Sequence, residues 1–166
     1  MDQRIRRNNR AGTSRQRICK TKRICRQSDR YVKSRRIEGS GTRTFLDLDA
    51  VFLGKVFHLS KVYEGIELCK KEGVDFLLAI GGGSVIDSTK AIAMGLPYEG
   101  DVWDFFIEED GVPHDVPTKS TPLGVILTIA ATGSEASNSC VITKADENLK
   151  RFCDNDINRA RFAIEN

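Results

Sequence analysis

The residues best placed to do chemistry in this chain carry almost none of their own. Gly81-Gly82-Gly83-Ser84 follows the apolar run Phe76-Leu77-Leu78-Ala79-Ile80 and precedes Val85-Ile86-Asp87. The apolar run reads as a buried parallel strand, and a helix is expected to start just after the glycines. Such a turn aims main-chain N–H groups outward at the positive end of a helix dipole. With no side chain in the way, a phosphate can approach the backbone closely. The chemistry expected is therefore anion binding, of a dinucleotide or another phosphorylated ligand. Gly82, Gly83 and Ser84 are the candidate cradle, and Gly83→Val is expected to abolish binding by blocking that approach. Asp87 has two readings. It is the acid of a capping box begun by Ser84, or it orients the glycine loop or bonds the ligand.

A second polar cluster follows another apolar run, Leu123 to Ile129. Thr128, Thr132, Ser134 and Ser137 place four hydroxyls within ten residues. Hydroxyls there can donate to a carboxamide or phosphate oxygen. The same residue types also cap helices and close turns, with no ligand involved. Lys150 either reaches an anionic ligand or is a solvated charge. Other chemistries are excluded by pattern. No Gly-Lys-Ser/Thr follows the glycines, so this is not a P-loop, and the spaced GxGxxG fingerprint is missing. No GxSxG nucleophile elbow occurs. His58 and His114 have neither a second His nor a carboxylate at helical i, i+4 spacing, so no metal site is expected within this chain.

The elements that must position these turns are legible from about residue 60. A helix is expected from an N-cap at Ser60 to Glu72, with Val62, Ile66 and Cys69 as its apolar stripe. Lys70 and Lys71 suit its C-terminal dipole, and Gly73 suits the position that follows. A strand over 74–80, the glycine turn and a second helix closed by Gly95 come next. Residues 96–121 read as a loop anchored by Trp103, Phe105 and Phe106. Strands are expected over 123–129, 139–143 and, briefly, 162–164. Helix, strand, helix, strand argues for an α/β fold with a parallel sheet. In such sheets ligands sit outside the carboxyl ends of the strands, so both polar turns are expected to face one crevice.

The 166 residues suffice for one domain with a core, and the net charge of +3 conceals a division. Residues 1–40 carry 14 Lys/Arg against 3 Asp/Glu, and the remainder carries 12 against 20. Residues 1–56 form a basic segment for which disorder, or a non-native origin such as a wrong reading frame, is expected. A nucleic-acid arm or an organelle-targeting peptide fits less well, because Tyr31 alone interleaves the arginines and no apolar face is evident. Nucleic acid is thus not an expected partner. No apolar run is long enough to span a membrane, and no signal-peptide core follows the N-terminus. Cys19, Cys25, Cys69, Cys140 and Cys153 read as free thiols in a reducing cytoplasm.

Taken together, residues 59–166 resemble the cofactor-binding part of the iron-containing alcohol dehydrogenases, in the branch of the NAD(P)H-dependent butanol dehydrogenases. The resemblance rests on Lys61-Val-Tyr-Glu-Gly65, on Asp75 to Asp87 with its GGGSxxD motif, on Lys90-Ala-Ile-Ala93, on Tyr98 to Phe106, and on Leu123 to Asn138 with its TxxxTGSE motif. It implies a Rossmann-like domain over residues 57–166, with a helical metal domain absent from this chain. It implies NAD or NADP as cofactor and a small alcohol or aldehyde as substrate, and a homo-oligomer is possible. By the family pattern Gly82, Gly83 and Ser84 bind the pyrophosphate with Asp87 close by. Thr128, Thr132 and Ser137 line the cofactor cleft, and Lys150 contacts the cofactor. The family's Fe²⁺ or Zn²⁺ polarises the alcohol oxygen. Its Asp and His ligands have no counterpart here, so this chain reads as a truncated piece from which hydride transfer is not expected. The alternative reading is a non-catalytic nucleotide-binding or interaction module with a basic arm.

Overall fold

A computed structural model describes residues 58–108 and 110–165, together with the backbone of 20–23, 32–37 and 43–49. Most of the basic segment lies outside the described residues. Within it, three stretches are extended: β1 (Lys20–Arg23), β2 (Val32–Ile37) and β3 (Arg43–Asp49). Regular structure was not expected there. β3 carries Thr44, Phe45, Leu46 and Leu48, which suit a strand once a neighbouring strand supplies partners.

The neighbour is β4 (Phe76–Gly81), which pairs in parallel with β3 and, on its other side, with β5 (Leu123–Leu127). β8 (Ala163–Glu165) adds a further parallel strand beyond β5. The sheet order is β1-β2-β3-β4-β5-β8, antiparallel only where β1, β2 and β3 meet. A separate antiparallel hairpin joins β6 (Ser139–Lys144) to β7 (Leu149–Asp154) and puts Cys140 opposite Cys153. The described cysteines, Cys69, Cys140 and Cys153, are free and buried. Cys19 and Cys25 lie outside the described residues.

α1 (Leu59–Glu72) buries Leu59, Val62, Ile66 and Cys69, the expected stripe plus one residue. Its N-cap is His58 rather than Ser60, because the His58 carbonyl accepts from the N–H groups of Lys61 and Val62. At the other end Gly73 sits in the left-handed region at φ 62°, where Val74 N–H donates to Cys69 O at 3.0 Å. α2 (Gly83–Gly95) differs in kind. From Val85 to Gly95 only Asp87 is not buried. A helix buried nearly all round packs on several sides at once, and α2 contacts β4, β5, β6 and α1.

The loop after α2 holds a short 3-10 helix, Val102–Phe105, where Asp101 caps the Trp103 N–H at 2.9 Å. Trp103, Phe105 and Phe106 are buried as anticipated, and Trp103 stacks on Phe106 with centroids 5.1 Å apart. Leu77 and Val125, on adjacent strands, are fully buried beneath the helices. Truncating such a side chain costs its transfer energy and leaves a cavity. Leu77→Ala is expected to lose about 3 kcal/mol of stability, read as a lowered urea midpoint at unchanged slope.

Candidate functional site

The two polar turns meet at the carboxyl ends of β4 and β5. Gly81 pairs with Leu127 across the strands, and Thr128 N–H donates to Gly81 O at 3.1 Å. Chain reversal at both strand ends then brings the turns together, and a Cβ placed on Gly83 would overlap Thr132 Oγ1. The two turns expected from the sequence to face each other therefore lie side by side.

Gly82 is the N-cap of α2, with φ −92° and ψ −170°, and its carbonyl accepts from Val85 and Ile86 N–H at 3.0 and 3.2 Å. Among the described residues, the N–H groups of Gly82, Gly83 and Ser84 find no protein acceptor. A helix start with free donors is the feature that anion binding requires. Around Gly82 a Cβ would meet nothing within 4 Å, so that side of the turn is open. The two central glycines thus differ. Gly82 borders free space, whereas the missing Cβ of Gly83 admits Thr132. The expected mechanism of Gly83→Val changes accordingly: its first clash is with protein, not with a phosphate.

The capping box is not formed. With Gly82 as N-cap, Ser84 stands in the second helical position and Asp87 one turn further in. The Asp87 carboxylate accepts from Ser134 Oγ at 2.5 Å and from Val141 N–H at 3.2 Å. Both oxygens face the chain that follows the hydroxyl turn. Burial pushes this carboxyl up from its usual range, while the Ser134 and Val141 bonds, and then the charges of Lys90 and Lys150, act against that shift.

One turn along α2, the fully buried Lys90 does the matching work with donors. Its ammonium donates to the carbonyls of Ser134 at 2.8 Å, Ser137 at 2.9 Å and Ser139 at 2.8 Å, and to Ser137 Oγ at 3.2 Å. Burial pulls the lysine down from its usual range, and the Asp87 charge opposes this. The Ser137 hydroxyl also donates to Ser139 O and accepts from Ser139 N–H. Asp87 and Ser137, read from the sequence as cofactor ligands, thus make protein contacts. Thr128 and Thr132 are exposed on the turn, and Lys150 is exposed on β7 opposite Thr143.

Lys90 was not singled out as a functional residue in the sequence, although a signal existed. It lies in a helix without a polar face, and a lysine there must be buried and paired. Glu135 was also passed over, and its Oε2 is buried with no partner among the described residues. Metal chemistry finds no support in the donor set. Among the described residues no three His, Cys, Asp or Glu side chains group to hold an ion. His58 caps α1, while His114 lies exposed near Glu108. The described residues offer no group of donors for the metal that the resemblance implies.

The model of the iron-containing alcohol dehydrogenase family matches residues 51–165. This chain belongs to that family. It is 45% identical over 106 residues to a "Probable NADH-dependent butanol dehydrogenase 2" of Bacillus subtilis, an alignment that covers 64% of this chain and 26% of that protein. It is 38% identical over 79 residues to the NADPH-dependent aldehyde reductase YqhD of Escherichia coli, covering 48% of this chain and 20% of that one. The solved NADH-dependent butanol dehydrogenase A of Thermotoga maritima superposes with a TM-score of 0.63 at 40% identity, over 68% of this chain and 27% of that structure. The chain thus spans about a quarter of the length of these relatives.

Removing Asp87 strands a hydroxyl and a backbone N–H in a partly buried place. Asp87→Ala is expected to cost about 2 kcal/mol, seen as a lower melting temperature, with faster hydrogen exchange at the Val141 amide.

Proposed function

We propose that residues 57–166 hold the dinucleotide of an NAD(P)-dependent alcohol or aldehyde oxidoreductase of the iron-containing family. One observation carries this reading: among the described residues the N–H groups of Gly82, Gly83 and Ser84 find no acceptor, and they stand at the start of α2, beside open space at Gly82. In this proposal they bind the pyrophosphate, helped by the helix dipole. Thr128 and Thr132, exposed on the facing turn, supply hydroxyls to the rest of the cofactor. Lys150 lies near enough to Asp87 for its charge to be felt there, and in this reading it adds positive potential at the crevice. Asp87 and Ser137 serve the site indirectly, through the loop that they brace.

The bound nicotinamide supplies hydride transfer to or from a small alcohol or aldehyde. The chain's own residues bind and orient it. Support for the substrate class comes from relatives named as butanol dehydrogenase and aldehyde reductase. Both NADH- and NADPH-dependent proteins occur among them, so either cofactor fits this family portion. No helix among the described residues is long and apolar enough to cross a membrane, and we place the protein in the cytoplasm.

The open side of Gly82 provides the test. Its φ and ψ are accessible to alanine, so Gly82→Ala puts a methyl into the crevice and strains nothing. Calorimetric titration of the wild-type chain is expected to show binding of NADH or NADPH, weakened roughly tenfold in Gly82→Ala at unchanged melting temperature. Equal affinity in the two proteins, or no binding to the wild type, refutes the cradle.

A further inference from the structure

The hydroxyl turn has an unusual mechanical situation. Residues 128–133 are all exposed, so burial does not fix where they stand. At the near end the turn is tied to β5 and by the Thr128–Gly81 bond. At the far end it runs into Ser134, where α2 holds the segment from one side, while Arg159 donates to Ala136 O at 2.6 Å and Asn155 and Asn158 donate to Asn138 O from the other. Lys90 holds the carbonyls of Ser134, Ser137 and Ser139, and Asp87 holds Ser134 Oγ and the Val141 N–H. Main-chain bonds from Ala136 and Ser137 to Gly133 and from Ser137 to Ser134 are internal, and the outside main-chain tie, from Asn155 N–H to Asn138 O, lies beyond the residues that Lys90 and Asp87 hold next to the turn.

We infer that Lys90 is a positioning residue for cofactor binding: its ammonium, from inside α2, holds the 134–139 segment so that Thr128 and Thr132 face the glycine turn. This inference rests on the reading of the crevice as a dinucleotide site. α2 begins at the glycine turn and carries Lys90 two turns later. One rigid helix therefore presents the phosphate donors at its start and anchors the opposite wall from its middle. The spacing between the two walls is set by helix geometry, not by the exposed turn. Lys90 itself is sealed from solvent, so it does not touch the cofactor.

Lys90→Met keeps an unbranched side chain, one atom shorter, and removes the donors. Three measurements on the whole chain separate the possibilities. Hydrogen exchange at the amides of residues 134–141 is expected to accelerate. NADH affinity by calorimetry is expected to fall roughly tenfold. Affinity for inorganic pyrophosphate is expected to stay within about twofold, because the N-terminal donors of α2 are untouched. Lys90→Gln, whose amide still donates to carbonyls, is expected to recover part of the NADH affinity, and it serves as the test protein should the methionine variant fail to fold. Unchanged exchange or unchanged NADH affinity overturns the inference. So does a parallel loss of NADH and pyrophosphate, which marks either general destabilisation or direct attraction of phosphate by the lysine charge. A wild-type chain that binds pyrophosphate but no NADH sinks the dinucleotide reading and this inference with it. A wild type that binds NADH while Lys90→Met and Lys90→Gln bind it equally well sinks the inference alone.

Discussion

A single ammonium group inside the fold governs how the polar turns are arranged. Withdrawing a lysine from water costs several kcal/mol unless its protons are satisfied. Lys90 meets that cost with three carbonyls and a hydroxyl, all from residues 134–139. Charge-assisted bonds of this kind are about twice as strong as neutral ones. The arrangement is also reciprocal. Without the lysine, three carbonyls lose a donor, and without the loop, a buried charge is stranded. Either loss is severe, so helix and loop are committed to each other.

Asp87 extends the same constraint by one turn of helix. Among the described residues it forms no direct ion pair with Lys90, and each charge is spent on loop atoms of the opposite polarity. Together they join α2 to the start of β6, where Cys140 and Cys153 face each other across the hairpin. The Cys153 sulfur lies 3.9 Å from that of Met94, near the end of the same helix. α2 is thus fastened to the hairpin by polar ties near its start and by apolar packing near its end. The buried face needed for such fastening explains why this helix has almost no polar surface.

The hairpin shows how side-chain pairing can override a surface pattern. In Leu149-Lys-Arg-Phe-Cys-Asp the exposed positions include Phe152, while Arg151 turns inward. Arg151 lies over the Trp103 ring at 5.3 Å and bonds Glu108 at 2.7 Å. An arginine that stacks on tryptophan and pairs with a carboxylate can take an inner position. Alternation of apolar and polar residues therefore misleads at β7, and no strand is foreseen there. The basic N-terminal segment misleads for a related reason. β3 carries Phe45, Leu46 and Leu48, but it follows a basic stretch and needs the backbone of β4 as its partner, which its own composition does not announce.

The sequence alone determined the local architecture: an apolar strand, a glycine turn, a helix start with outward N–H groups, and a second strand ending in hydroxyls. These features depend on residues adjacent in the chain, through sterics, propensity and capping. The fold class and the family motifs were legible for that reason. The tertiary structure decided the rest. It set the partners of Asp87, 47 and 54 positions away, and the acceptors of Lys90, 44 to 49 positions away. It also seated Thr132 against Gly83, so that one glycine serves packing and its neighbour borders open space. Such choices come from which distant atoms share a desolvated volume, and no local pattern records that.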